Sequence, residues 1–161
     1  MKEESSKFKT LRHIETVRNY LDQCAIELIK ASQNHDQCKL QSPEAETFEE
    51  YTNKLRGCTY NSSEYKEFLK GMSGALDHHY ANSRHHPEHF EDGVNGMNLL
   101  DLVEMICDWK ASTMRHNDGN ILKSLEINRS RFKLSDQLYN ILLNTVKLME
   151  HMEVKHHARE S

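Results

Sequence analysis

HHYANSRHHPEHFEDGVNGMNLLDLVEMICDWKAS, residues His78–Ser112, is the stretch on which the reading of the fold turns. Its second half is a helix with a start signal. Asn98 can accept from the first unsatisfied N–H groups, and Asp101, three residues on, sits favourably against the positive helix end. From there Leu99, Leu102, Val103 and Ile106 recur at three- and four-residue steps and predict the buried side of a helix running to about Arg115. FEDGVNG before it is turn chemistry. Pro87 cannot sit inside a continuing helix, so the HHPEH run lies at a helix end or in a loop.

The same periodicity extends outward. Ser62 or Ser63 caps a helix through Tyr65, Phe68, Leu69, Met72, Leu76 and His79. Residues 6 to 32 form a long amphipathic helix with Ile14, Val17, Leu21, Cys24, Ala25 and Leu28 on one stripe and His13 at its edge. The polar run SQNHDQCKLQSPE breaks that pattern, and Ser42 as cap with Pro43 at the first helical position opens another helix ending near Arg56-Gly57. HNDGN at 116 to 120 is a turn, and the last helix covers roughly 135 to 153. Its stripe of Leu138, Ile141, Leu142, Val146 and Met149 suits a core or a homodimer contact equally. No strand pattern of useful length and no internal repeat interrupts this. The expectation is an all-α chain, 1 to 161 forming a single bundle of five or more helices with its core at about 8 to 150.

Composition agrees. A chain of 161 residues can bury a core without disulfides or structural metal, and with 6 Gly and 2 Pro turns are scarce. A hydrophobic share of 37% and a mean hydropathy of -0.82 fit helices that show one face to water. A net charge of -4 supplies no basic field for duplex nucleic acid. Cys24, Cys38, Cys58 and Cys107 show no CxxC spacing and read as free thiols of a reducing cytoplasm. The N-terminus is too polar for a signal peptide, and no apolar run approaches the roughly 20 residues of a membrane span.

The chemistry-bearing residues are grouped. Five histidines, His78, His79, His85, His86 and His89, fall within twelve positions, and neutral imidazole is the commonest metal ligand in proteins. His78 and His85, like His79 and His86, are seven apart, so two helical turns would stack each pair, although Pro87 and a break near Asn82 leave the register open. The bland reading is a polar helix end with solvated imidazoles. Upstream stands His35-Asp36, with Lys39 three residues on, where an ammonium can hold a phosphate oxygen. Asp101, Glu104 and Asp108 share a stripe at three- and four-residue steps, and a cation between them would relieve their repulsion. An acidic solvent face is the alternative, and for Asp101 a capping role. Cys107 and Trp109, which prefer burial, flank Asp108.

His13, then His35-Asp36 with Lys39, then histidines, then an Asp on a late helix is an order that resembles the HD-domain metal phosphohydrolases. HHPEHFEDG followed by the late acidic helix looks like the paired-histidine region of the HD-GYP branch. The chain is more similar still to a small uncharacterised family of bacteria and phages, with an HDxSK-type motif (here HDQCK), an NxHHPEH-type motif (here NSRHHPEH) and DLxEMxxDW at Asp101–Trp109. The likeness spans roughly residues 8 to 148. It implies an HD-like helical bundle around a metal site. Carried over, His35, Asp36 and Asp108 match the core ligands and His13 the histidine of the first helix. His79 and His86 are the choices for further ligands of a second metal, with His78 and His85 as runners-up. The Gly-Tyr-Pro element is absent, and the histidine groups stand closer together than in HD-GYP enzymes, which argues against a cyclic-dinucleotide phosphodiesterase.

The function implied is hydrolysis of a small phosphate ester, by analogy a nucleotide, with one or two divalent ions (Mn, Fe, Co, Ni, Zn or Mg) activating water. Asp36, Lys39 and Glu104 are the expected catalytic groups, with Asp101 as a second carboxylate able to shuttle protons. Lys39, Arg84 and Lys110 are the expected phosphate contacts, with Arg129 and Arg131 behind them. Two rivals use the same residues: an HD-fold di-iron oxygenase, and a non-catalytic helical module that binds a metal or ligand.

Overall fold

The computed structural model describes residues 5–59, 62–115 and 119–160, leaving aside the side chains of Arg56 and of 153–160. The described residues are helical, with short 3-10 turns and no strand. They fall into two compact units, 1–35 and 36–161.

The first unit is one helix, α1 (Ser6–Asn34). Ser5 caps it by accepting from the Phe8 N–H. None of its residues is buried; along the predicted stripe Ile14 and Val17 are 41% exposed and Leu21 63%.

The second unit holds six helices: α2 (Ala45–Arg56), α3 (Ser63–Gly71), α4 (Ser73–Asn82), α5 (Leu99–Thr113), α6 (Ile121–Arg131) and α7 (Asp136–Glu160). Four differ from the sequence reading. α2 begins after Glu44, so Ser42 and Pro43 lie in the turn before it. The helix expected from Ser62 to His79 is two, separated at Met72, whose backbone (φ -94°, ψ 2°) leaves the helical region. α6 was not foreseen. Its cap, Asn120, accepts from the Lys123 N–H, and Ile121, Ser124, Leu125 and Asn128 form the buried face. Of the turn expected at 116 to 120, residues 116 to 118 lie outside the described residues.

The core joins α5, α6 and α7: Met105, Ile106 and Trp109 pack with Ile121, Leu125, Leu134, Leu142 and Val146. Trp109 stacks on Phe132, ring centroids 5.9 Å apart at 10°. The buried side of α5 is therefore rotated from the expected one. Leu99 is 77% and Val103 39% exposed, while Met105 and Trp109 take the inner positions. The reason is at the helix start: Asn98 and Asp101 form a reciprocal capping box, and Asp101, itself buried, turns inward to take Arg84. On α7, Leu142 and Val146 are core while Ile141 is 59% exposed. All four cysteines are free thiols. Among the described residues no helix is long and apolar enough to cross a membrane.

Candidate metal centre

Four donors converge in the second unit. One ligand atom each from Asp36, His79, His85 and His86 lies within 4.8 Å of the other three. His79 Nε2 is 2.9 Å from His86 Nε2 and 3.4 Å from Asp36 Oδ1, and His85 Nε2 is 3.5 Å from the same oxygen. Donors about 2.0–2.1 Å from one ion stand roughly 3.0 Å apart at a cis octahedral edge and roughly 3.4 Å apart at a tetrahedral one. The three separations fall at those two values. The donor set therefore fits a divalent transition metal, with imidazole nitrogens and one hard oxygen.

Local structure explains each placement. Asp36 stands in the left-handed region (φ 57°, ψ 13°), which Asp tolerates better than most residues, and starts the 3-10 turn Gln37–Leu40. Lys39 in that turn reaches back to Asp36 Oδ2 at 2.7 Å, leaving Oδ1 for the cluster. His79 comes from the last turn of α4, which stops at Asn82. His86 precedes Pro87 and is extended (φ -102°, ψ 128°), as the residue before a proline must be. His85 and His86 then both enter the cluster, their rings 4.2 Å apart.

Two of the three imidazoles are backed by carboxylates. The wholly buried Glu44 accepts from His79 Nδ1 at 3.1 Å and from His78 Nδ1 at 2.7 Å. A carboxylate only accepts, so the proton of His79 is on Nδ1 and its Nε2 lone pair points into the cluster. Glu104 Oε1 lies 3.1 Å from His85 Nδ1 and favours the same tautomer there. A histidine ligand held through its other nitrogen by a carboxylate is the usual outer-shell arrangement of metal sites. Cys38 Sγ and Ser83 Oγ lie 3.2 and 3.3 Å from His79 Nδ1, and burial pushes the Cys38 thiol pKa up. Burial, with the Lys39 charge next, lowers His79 to about 4; burial and the neighbouring His85 and His79 lower His86 to about 3. Both rings are neutral near pH 7, the form that ligates.

Asp36, His79 and His86 thus come together as expected, and a carboxylate oxygen of Asp108 lies within 4.8 Å of one of Asp36. Of the runners-up, His85 belongs to the cluster, whereas His78 turns its Nδ1 to Glu44 and is largely exposed. His35 closes α1, its N–H donating to Ala31 O, and ends the first unit. His13 is corrected: it is exposed on the same straight helix, 22 residues or roughly 33 Å from His35, so the two cannot share an ion. Glu104, expected to move protons, instead holds His85. Lys39, expected on phosphate, is engaged by Asp36. Arg84, expected on substrate, forks onto Asp101 (Nε–Oδ1 3.0 Å, Nη2–Oδ2 2.9 Å) over the Phe90 ring. Arg129 and Arg131 pair with Asp136 and Glu88. Lys110 is half-buried in the last turn of α5. His89 Nδ1 donates to Tyr80 O and stays outside the cluster. Sequence reasoning missed Glu44 and Cys38. Glu44 stands among three other glutamates between 44 and 50, and nothing local marks it as the buried one.

Residues 2–148 match a protein family described as "Family of unknown function (DUF5662)". No curated protein and no solved structure matches the chain.

Proposed function

The chain belongs to that family of unknown function, and we propose that it is a metal-dependent phosphohydrolase acting on a small phosphate ester, a nucleotide being the class its HD-like motifs favour. The observation that carries the reading is the convergence of Asp36 Oδ1 with three histidine Nε2 atoms, two of them on rings backed by Glu44 and Glu104. Asp36, His79, His85 and His86 would hold a divalent ion. Bound there, it would supply a Lewis acid that lowers the pKa of water and polarises a phosphoryl oxygen. Asp108, within reach of Asp36, is the carboxylate able to take a proton from the attacking water. Lys39 pairs with Asp36 Oδ2 at 2.7 Å and brings positive charge to the rim of the cluster. Glu44 and Glu104 hold the tautomers of His79 and His85 and are positioning residues.

Elemental analysis of untagged protein, with its visible spectrum and a screen of phosphate esters, tests this. About one or two equivalents of a colourless divalent metal with phosphate release is expected, and both should be lost in Asp36→Ala while helical circular dichroism persists. Iron with visible bands would replace hydrolysis by oxygen chemistry. No metal after reconstitution would overturn the centre.

A further inference from the structure

A cavity of about 400 Å³ lies in the second unit between α2, α3 and the end of α5. That is the size of a small-molecule site. Phe48 and Tyr65 give it aromatic walls, Asn53 and Ser112 hydrogen-bonding groups, and Arg115 a guanidinium at its rim.

Two links relate it to the metal centre. Phe48 lines the cavity, packs edge-on against His79 at 5.9 Å between centroids, and carries the Lys39 ammonium 5.0 Å from its ring. On α5, Asp108 and Ser112 are four residues apart and share a face, so the stripe that begins beside Asp36 continues into the cavity. Arg115 follows three residues later, about 10 Å along the chain axis from Asp108. Aromatic walls between an anion-handling centre and a distal guanidinium define a ligand with a flat middle and two anionic ends.

Resting on the phosphohydrolase reading, but replacing its nucleotide class with an aryl phosphate, we propose that this cavity holds the substrate's leaving group, an aromatic or heteroaromatic alcohol carrying a second anionic substituent that Arg115 receives. Hydrolysis then breaks the aryl O–P bond and forms a P–O bond to water. One proton of that water ends on the released aryloxide, the other on phosphate or solvent. The ring sits between Phe48 and Tyr65, and Asn53 reads its edge.

The test pairs binding with turnover on the full-length, metal-loaded protein. 4-Hydroxybenzoate and phenol are titrated by amide-shift NMR, and 4-carboxyphenyl phosphate is compared with phenyl phosphate for phosphate release. The carboxylated probe should bind about tenfold more tightly, shift the Asn53 and Ser112 amides, and lose its advantage in Arg115→Gln. Binding with this preference but no release would keep the anionic-aromatic cavity and remove the hydrolase reading. Release without preference for the carboxylated ester would keep the hydrolase and overturn the cavity's assignment. A preference that survives Arg115→Gln, or no binding of either probe, would overturn it as well.

Discussion

Replacing Glu44 with glutamine keeps its volume and removes its charge, and the geometry gives the cost. Glu44 Oε2 is 3.1 Å from His79 Nδ1, the imidazole adds about 2 Å to its far nitrogen and a metal–nitrogen bond about 2 Å more, so the carboxylate would act on an ion across roughly 7 Å. At an effective dielectric near 20, a unit charge at that separation is worth about 2 kcal/mol per unit charge of a cation beyond Nε2. A second effect has the same sign. The glutamine amide can donate to Nδ1, which moves the ring proton to Nε2 and turns a lone pair in the cluster into an N–H. Loss of such an outer-shell partner elsewhere costs about 10- to 100-fold in affinity, or ~1.4–2.7 kcal/mol. Zinc affinity of Glu44→Gln, measured by competition with a chromophoric chelator, should fall by that factor while circular dichroism keeps the helical signal. Unchanged affinity in a folded variant would refute the role given to Glu44 and with it the tautomer argument.

Two further outcomes follow from the same contacts. In metal-free protein His79 and His86 have folded pKa values of about 4 and about 3, below the ordinary 6.5, so between those limits the unfolded chain binds more protons and stability rises with pH. Tm should therefore fall as pH drops from about 6.5 to about 4.5, a window in which ordinary carboxylates are still mostly ionised; a flat Tm would contradict the burial of both rings. Arg84→Ala leaves the buried Asp101 with only its cap contact to the Asn98 N–H. With Arg84 itself half-open to water, about 2 kcal/mol and roughly 5 °C of Tm is expected, and an unshifted melt would show the fork to be idle.

What could be read beforehand divides along physical lines. Asn98 and Asp101 announce the start of α5 through local hydrogen bonding, and the structure has both in a capping box. Pro87 announces that the helix before it has stopped, and α4 ends at Asn82. Once a helix stops, the rule of 100° per residue no longer applies, and this is why seven-residue spacing, which relates His78 to His85 as it does His79 to His86, could not tell which rings converge. His13 went astray for the opposite reason, since a motif order fixes sequence and not distance along a straight 29-residue helix. Glu44 and Arg84 required tertiary structure, because neither a buried glutamate nor a committed arginine differs in sequence from a solvated one. α6 was concealed by polarity, for its buried face includes Ser124 and Asn128 beside two apolar residues.

The segment between α4 and α5 that delivers His85 and His86 is fastened on three sides: Arg84 to Asp101, His89 to Tyr80 O, and Glu88 to Arg131. Ordering an irregular loop around an ion ordinarily spends conformational entropy at the moment of binding. Here that entropy is lost when the chain folds, so an ion arriving at the cluster would find its ligands already placed. On the metal-centre proposal, affinity would correspondingly be retained for the ion rather than consumed in arranging ligands. Exchange of such an ion would then be governed by solvent reaching the rim and not by motion of the peptide.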